Sequence, residues 1–334
     1  MWSGDVGGWS RVLALSLVGL VSLMPLVLNP YWVFVLGYGL TLAIACLGVN
    51  LLLGHTGLLS LGHAAYFGIG AYTGAFLFTF GDAYSLEVYL ASGIVAAAGL
   101  AAVSGALCVR TTRMHFSILT LALAQVIHSL FVSGAVFRPF GTMGKGFFLI
   151  GHGGLYIPRF TMAGVELSPE AFATVFYYVI LLAFLATAGL LWRVVNSPFG
   201  MALRAIRDNA TRAECVGIPV RNYRWRAFVI SGTVTGLAGA LFGQHVRQIT
   251  PQQLDWLFSA HLVVATLLGG TTYFVGPVVG ALTVVALSEI ALRFALHHNL
   301  ILGVLLIIVA ARRRGFGTPT DRFIPELGRS APWA

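Results

Sequence analysis

Residues 50–76 read NLLLGHTGLLSLGHAAYFGIGAYTGAF. The stretch is apolar enough to lie in a membrane, yet it carries His55, His63, Thr56, Ser60 and a glycine every few residues. A helix that only had to cross lipid needs none of these. Its neighbours decide the environment. Apolar runs of about 20 residues, each long enough for a ~30 Å hydrocarbon core, recur along the 334-residue chain. Hydrophobic residues make up 58% and charged residues 9%, against about 25% charged in soluble domains, and the mean hydropathy is +0.87. In lipid every backbone polar group must be satisfied internally, which permits a helix bundle or a closed barrel. The runs are continuous rather than alternating, so the expectation is an all-α, polytopic transmembrane helix bundle in one domain covering 1–334.

Ten crossings are expected, at about 12–28, 31–53, 58–80, 88–109, 115–136, 171–192, 227–244, 256–270, 274–296 and 299–311. A net charge of +9 would suggest nucleic acid in a soluble chain, but here the arginines cluster between apolar runs and set topology instead. Arg110 and Arg113, the segment from Arg193 to Arg226, and Arg312, Arg313 and Arg314 all become cytoplasmic if two and then four crossings separate them. Both termini are then cytoplasmic. The three cysteines, Cys46, Cys108 and Cys215, have no ligand or disulfide spacing, and no metal site is expected.

Two connections are long enough to carry structure of their own. The periplasmic one spans about 138–170 and contains Lys145; the cytoplasmic one spans about 193–226. In the latter, Ser197-Pro198 is a helix-start signal. Met201–Cys215 reads as one helix, stopped by Gly217 and Pro219. Leu203, Ile206 and Ala210 share a face, opposite Arg204, Arg207, Asp208 and Arg212. Such a cationic amphipathic helix either lies against anionic lipid or docks a soluble partner, and the residues alone leave both open.

With this loop in view, a resemblance becomes specific. NLLLGHTGLLSLGHAAYFGIGAYTGA, SPFGMALRAIRDNATRAECVGIPVRNYRWRAFVISGTVTGLAGAL and LLGGTTYFVGPVVGAL resemble the branched-chain amino-acid ABC-importer permease family, LivM-type subunit, from about Leu40 to Gly315. The resemblance implies a bacterial inner-membrane subunit that pairs with a paralogous second permease, two cytoplasmic ATPases and a periplasmic binding protein. ATP and magnesium would sit on the ATPases. It also implies that the segment from Ser197 to Val220 couples to the ATPase, which assigns that role to Ser197, Pro198, Gly200, Leu203, Arg204, Ile206, Arg207, Asp208, Glu214 and Gly217, with the arginines either setting docking register through carboxylates on the ATPase or staying solvated at lipid headgroups. Departures from the family pattern are Thr272 in GGTTYFVGP, Lys145 in FGTMGKGF and the tail RRRGFG.

The residues themselves agree. No Gly-x-x-x-x-Gly-Lys-Ser/Thr motif is present, since GTMGKGF has the wrong spacing and no following hydroxyl, and no acidic pair marks a proton relay. An ion-coupled carrier or a channel is the rival reading. Gly-interrupted apolar segments point to a transport pathway, because unwound backbone can offer polar groups to a solute. The pathway candidates are therefore Asn50, His55, Ser60, His63, Tyr66 and Gln125, with Glu289 and Arg293 as an intramembrane i,i+4 pair. Gln125 and His128 are candidate partners for His63. Gly70 and Gly74, with His63 and Phe67, form a close-approach face, and Gly269, Gly270, Gly276 and Pro277 are expected to serve packing.

Overall fold

A computed structural model describes residues 22–25, 27, 29–80, 85–111, 114–133, 155–157, 161, 168–294 and 303–304. Most of the first apolar run, nearly all of the tenth, Arg113, Lys145 and Arg312–Arg314 lie outside these, as does the side chain of Arg293. The helices are α1 (Pro30–Leu53), α2 (His63–Phe80), α3 (Leu86–Cys108), α4 (Met114–Val132), α5 (Pro169–Asn196), α6 (Pro198–Asp208), α7 (Ala210–Cys215), α8 (Val220–Val246), α9 (Trp256–Gly269) and α10 (Gly276–Phe294). A two-residue antiparallel ladder pairs β1 (Leu155–Tyr156) with β2 (Gln248–Ile249). Five helices, at Pro30–Leu53, Leu86–Cys108, Met114–Val132, Ala171–Asn196 and Val220–Val246, are long and apolar enough to cross a membrane. The fold is thus a helical, multi-pass membrane architecture.

The chain divides into two compact units, one ending at Val285 and one beginning at Ala286. In the first, α1 and α8 are mostly buried, whereas α3, α4 and α5 leave most of their surface open. The reason lies in α8. Gly232, Gly236, Gly239 and Gly243 recur at spacings of four, three and four, and their missing side chains admit other backbones. A Cβ at Gly239 would run into the Phe67 carbonyl, one at Gly236 into Ala97, and one at Gly243 would stand 2.7 Å from the Tyr89 hydroxyl. From α2, Gly70 faces the Gly236 carbonyl and Gly74 faces the Tyr89 ring. Polar groups inside this block pair with one another, as lipid requires. Tyr89 Oη donates to Ala240 O at 2.6 Å, and Tyr66 Oη lies 2.7 Å from Ser104 Oγ. The second unit is described only at 286–294, the end of α10, and at 303–304.

Three expectations are corrected. The crossing expected at 58–80 has no helix before His63; residues 54–62 are non-helical. The single helix expected over Met201–Cys215 is two, α6 and α7, because Asn209 is extended (φ −159°, ψ 105°) and its Oδ1 accepts from Arg212 N at 3.0 Å to cap α7. Asparagine favours such a cap over a helix interior. The connection expected at about 193–226 is shorter, 197–219, since α5 runs to Asn196 and α8 already begins at Val220. Helices continue past the point where arginines end the apolar run.

Candidate functional site

Two helix breaks and the α6–α7 pair meet at one end of the bundle. The first break leaves α1 through Gly54, whose N–H donates to Asn50 O at 2.8 Å, and turns at Gly57 with φ +70°. From Thr56 to Gly62 the even-numbered residues are buried, while Gly57 and Leu59 are exposed and Leu61 half-buried. That period of two marks extended chain. Extended backbone inside a membrane protein needs partners from elsewhere, and side-chain hydroxyls supply them. Ser117 Oγ donates to Leu59 O at 2.6 Å and Leu61 N–H donates to Thr120 Oγ1 at 3.2 Å, while in the first turn of α2 Ala64 N–H donates to Ser259 Oγ at 2.7 Å.

The second break joins α9 to α10. Gly270 holds φ +95°, and Cβ atoms at Gly269 or Gly276 would collide with backbone across the turn. The breaks touch: a Cβ at Gly54 would lie 2.7 Å from the Thr271 carbonyl oxygen. Asn50 Oδ1 is buried beside Gly54 and has no hydrogen-bond partner among the described residues.

The third component is α6. Ser197 caps it, accepting from Gly200 N at 3.4 Å with Pro198 at the first turn. Gly200 is required because a Cβ would strike the Val195 carbonyl. Leu203 and Ile206 are buried, and Ile206, Ala213 and Val220, with Ala210, Ile218 and Tyr223, form a small core. Phe199 stacks on Tyr223 at 5.3 Å. Gly217 closes α7 with φ +86°. Asp208, Glu214, Met201 and Val216 face outward. The two arginines turn to their own chain. Arg204 Nη2 donates to Val195 O at 3.3 Å, while Arg207 Nη1 donates to Gly54 O at 2.5 Å and lays its Cγ 2.8 Å from the Cβ position of Gly57.

His55 stands between these parts. Its Nδ1–H donates to Asn50 O at 3.3 Å. Burial lowers its pKa below the usual 6.5; the Asn50 bond opposes this, and the nearby Arg204 and Arg207 charges add to it.

Among the expected pathway residues, Asn50 and His55 come together at the break. His63 does not join them. It is 1% exposed, and its partner is Ser231 rather than Gln125 or His128. Ser231 Oγ gives its one hydrogen to Gly48 O at 2.6 Å, so His63 Nε2–H must donate to Ser231 Oγ at 2.8 Å. This relay ties α2, α8 and α1. Gln125 and His128 lie 3.4 Å apart on the open side of α4. Ser60 and Tyr66 are buried. Glu289 is half-buried on α10 in the second unit. Sequence reasoning missed Ser117, Thr120, Ser231 and Ser259, as well as the α8 glycines, whose 4-3-4 spacing was the available signal. Among the described residues no group of three His, Cys, Asp or Glu side chains is placed to hold a metal.

A family model described as the branched-chain amino acid transport system permease component matches residues 31–310. The chain belongs to this family. Its relatives include the high-affinity branched-chain amino acid transport system permease protein LivM of Escherichia coli, 26% identical over 302 residues, covering 84% of this chain and 68% of the relative. The LivM protein of Salmonella typhimurium matches with the same identity and coverage. The autoinducer 2 import system permease protein LsrC of Klebsiella pneumoniae is 27% identical over 201 residues, covering 56% of this chain and 58% of the relative. No solved structure matches. This permease is accordingly a transport subunit of an ABC importer for small solutes, and ATP hydrolysis belongs to separate chains.

Proposed function

We propose that this permease moves branched-chain amino acids, or small polar solutes related to them, across the bacterial inner membrane. Its partners are a paralogous second permease, two cytoplasmic ATPases that hold ATP and magnesium, and a periplasmic binding protein. Both chain termini and the α6–α7 end face the cytoplasm. The observation that carries this reading is the meeting of two helix breaks with an amphipathic helix at one end of the bundle. The outward residues Met201, Val216, Asp208 and Glu214 form the ATPase-facing surface. The small core around Ile206 makes α6–α7 a stiff unit that transmits displacement instead of bending. The exposed side of the extended segment, at Gly57 and Leu59, and the Gln125–His128 face of α4 line the solute's route, because polar groups open to lipid would be costly.

Reconstitution with all four partner chains in liposomes tests the assignment. Uptake of leucine, isoleucine or valine should require ATP and the binding protein. Equal flux through the purified permease alone, without ATP, would identify a channel or carrier and end the proposal.

A further inference from the structure

We infer that Arg207 is a positioning residue that links α6 to both helix breaks, rather than a contact to the ATPase. The inference rests on α6–α7 being the ATPase-docking unit. α6 has an inward face, Leu203 and Ile206, and an outward face that includes Met201, Ala205 and Asp208. Arg207 sits at the border with its side chain 39% exposed, and its guanidinium folds back over its own chain. It takes hold of the turn Gly54–Gly57 at both ends. The charged end donates to the Gly54 carbonyl, at the C-terminus of α1 where the helix dipole and an orphan acceptor favour a cation. The aliphatic stem occupies the space at Gly57 that any side chain would need. Gly57 is also left-handed, a conformation that disfavours other residues.

The gripped turn is the joint between buried α1 and the extended segment, and Gly54 abuts Thr271 of the second break. One side chain therefore connects the docking helix to both irregular segments. Asp208 Oδ1, 3.4 Å from Arg207 Nε, adds a weak second tether on α6 itself. Arg204 makes no equivalent link, since it ends on Val195 of α5. The joint is also incompletely bonded: Asn50 Oδ1 is buried, accepts from nothing among the described residues, and lies beside Gly54. A buried acceptor left unpaired makes this arrangement less favourable relative to one that pairs it.

The test uses the assembled importer in nanodiscs, with Cys215→Ser removing the exposed native thiol and Leu59→Cys reporting on the extended segment by maleimide labelling. With Arg207 present, labelling should differ between the nucleotide-free and ATP-analogue-bound complexes. Arg207→Ala should keep the ATPases co-purifying and hydrolysing ATP, abolish that difference in labelling, and lower uptake per ATP by about tenfold, the scale of one charge-assisted hydrogen bond. A labelling difference that survives in Arg207→Ala overturns the inference, as does loss of ATPase co-purification from a variant that otherwise reaches the membrane normally. If Arg207→Ala does not assemble, Arg207→Lys replaces the forked donor with a single one. Uptake per ATP should then fall with docking intact, and undiminished coupling overturns the inference. Met201→Asp, on the outward face, tests docking separately: ATPases that still co-purify with it count against the docking surface and leave the labelling result to judge Arg207.

Discussion

Gly70→Ala is the sharpest probe of the packed block. A Cβ there would overlap the Gly236 carbonyl oxygen and stand 2.8 Å and 3.0 Å from the carbonyl carbon and Cα of the same residue. Ordinary contact begins at 3.4 Å, so α2 and α8 must part by roughly an ångström, and neither atom belongs to a side chain that can swing aside. Overpacking costs ~1–3 kcal/mol, and a backbone-on-backbone overlap belongs at about 3 kcal/mol. For large chains ~1 kcal/mol shifts the midpoint by about 2–4 °C, so the purified permease in detergent should melt at least ~6 °C lower. Gly99→Ala on α3 and Gly189→Ala on α5 supply the contrast, since nothing lies within 4 Å of a Cβ at either position. Each should be neutral or gain up to ~1 kcal/mol from helix propensity. Thermal unfolding followed by intrinsic fluorescence compares all three. A Gly70→Ala protein as stable as wild type, or a Gly99→Ala protein equally damaged, refutes the close-approach argument.

Ser231→Ala removes the middle of the His63–Ser231–Gly48 relay and leaves the buried His63 Nε2–H donor unpaired. It should cost ~1–3 kcal/mol, read in the same melting experiment. Asn209→Ala removes the α7 cap at a cost of ~1 kcal/mol, and hydrogen exchange should quicken over residues 210–215 while α8 stays protected. For His55 the sign is set by burial of the neutral ring, which lowers its pKa below 6.5. The unfolded chain binds the proton first, so stability is full above pH 6.5 and declines as pH falls from there toward the lowered folded value. His55→Gln should flatten that part of the melting profile; an unchanged acid slope would assign it to another group.

Much of this architecture was legible because local chemistry and tertiary structure agree. Ser197-Pro198 caps the helix it announces, and the Gly54–Gly57 break lies where the glycines interrupt the apolar run. The misses have physical causes. Leu203, Ile206 and Ala210 keep helical spacing straight across Asn209, so periodicity hid a break made by a single side-chain cap. Leu58-Leu59-Ser60-Leu61 has the composition of a membrane helix, and its extended form is made tolerable by Ser117 and Thr120, which bond Leu59 O and Leu61 N–H, and by Leu52 O, which accepts from Leu58 N–H. Ser117 and Thr120 are remote in the chain and pair by tertiary structure alone. The inward turn of Arg207 was hidden for the same reason, because an arginine on an amphipathic helix reads as solvated until the Gly54 carbonyl beneath it is known.

The glycine seam of α8 has a mechanical consequence. Where backbones touch, no side chain is left to change rotamer, so sliding one helix past another would meet a steric wall at every step. α2, α3 and α8 are therefore locked together as one block. The extended segment and α6, by contrast, are fastened by single hydroxyls and one guanidinium, bonds that can release and re-form one at a time. In this permease the bearing surface is glycine and the bearings are serine, threonine and arginine.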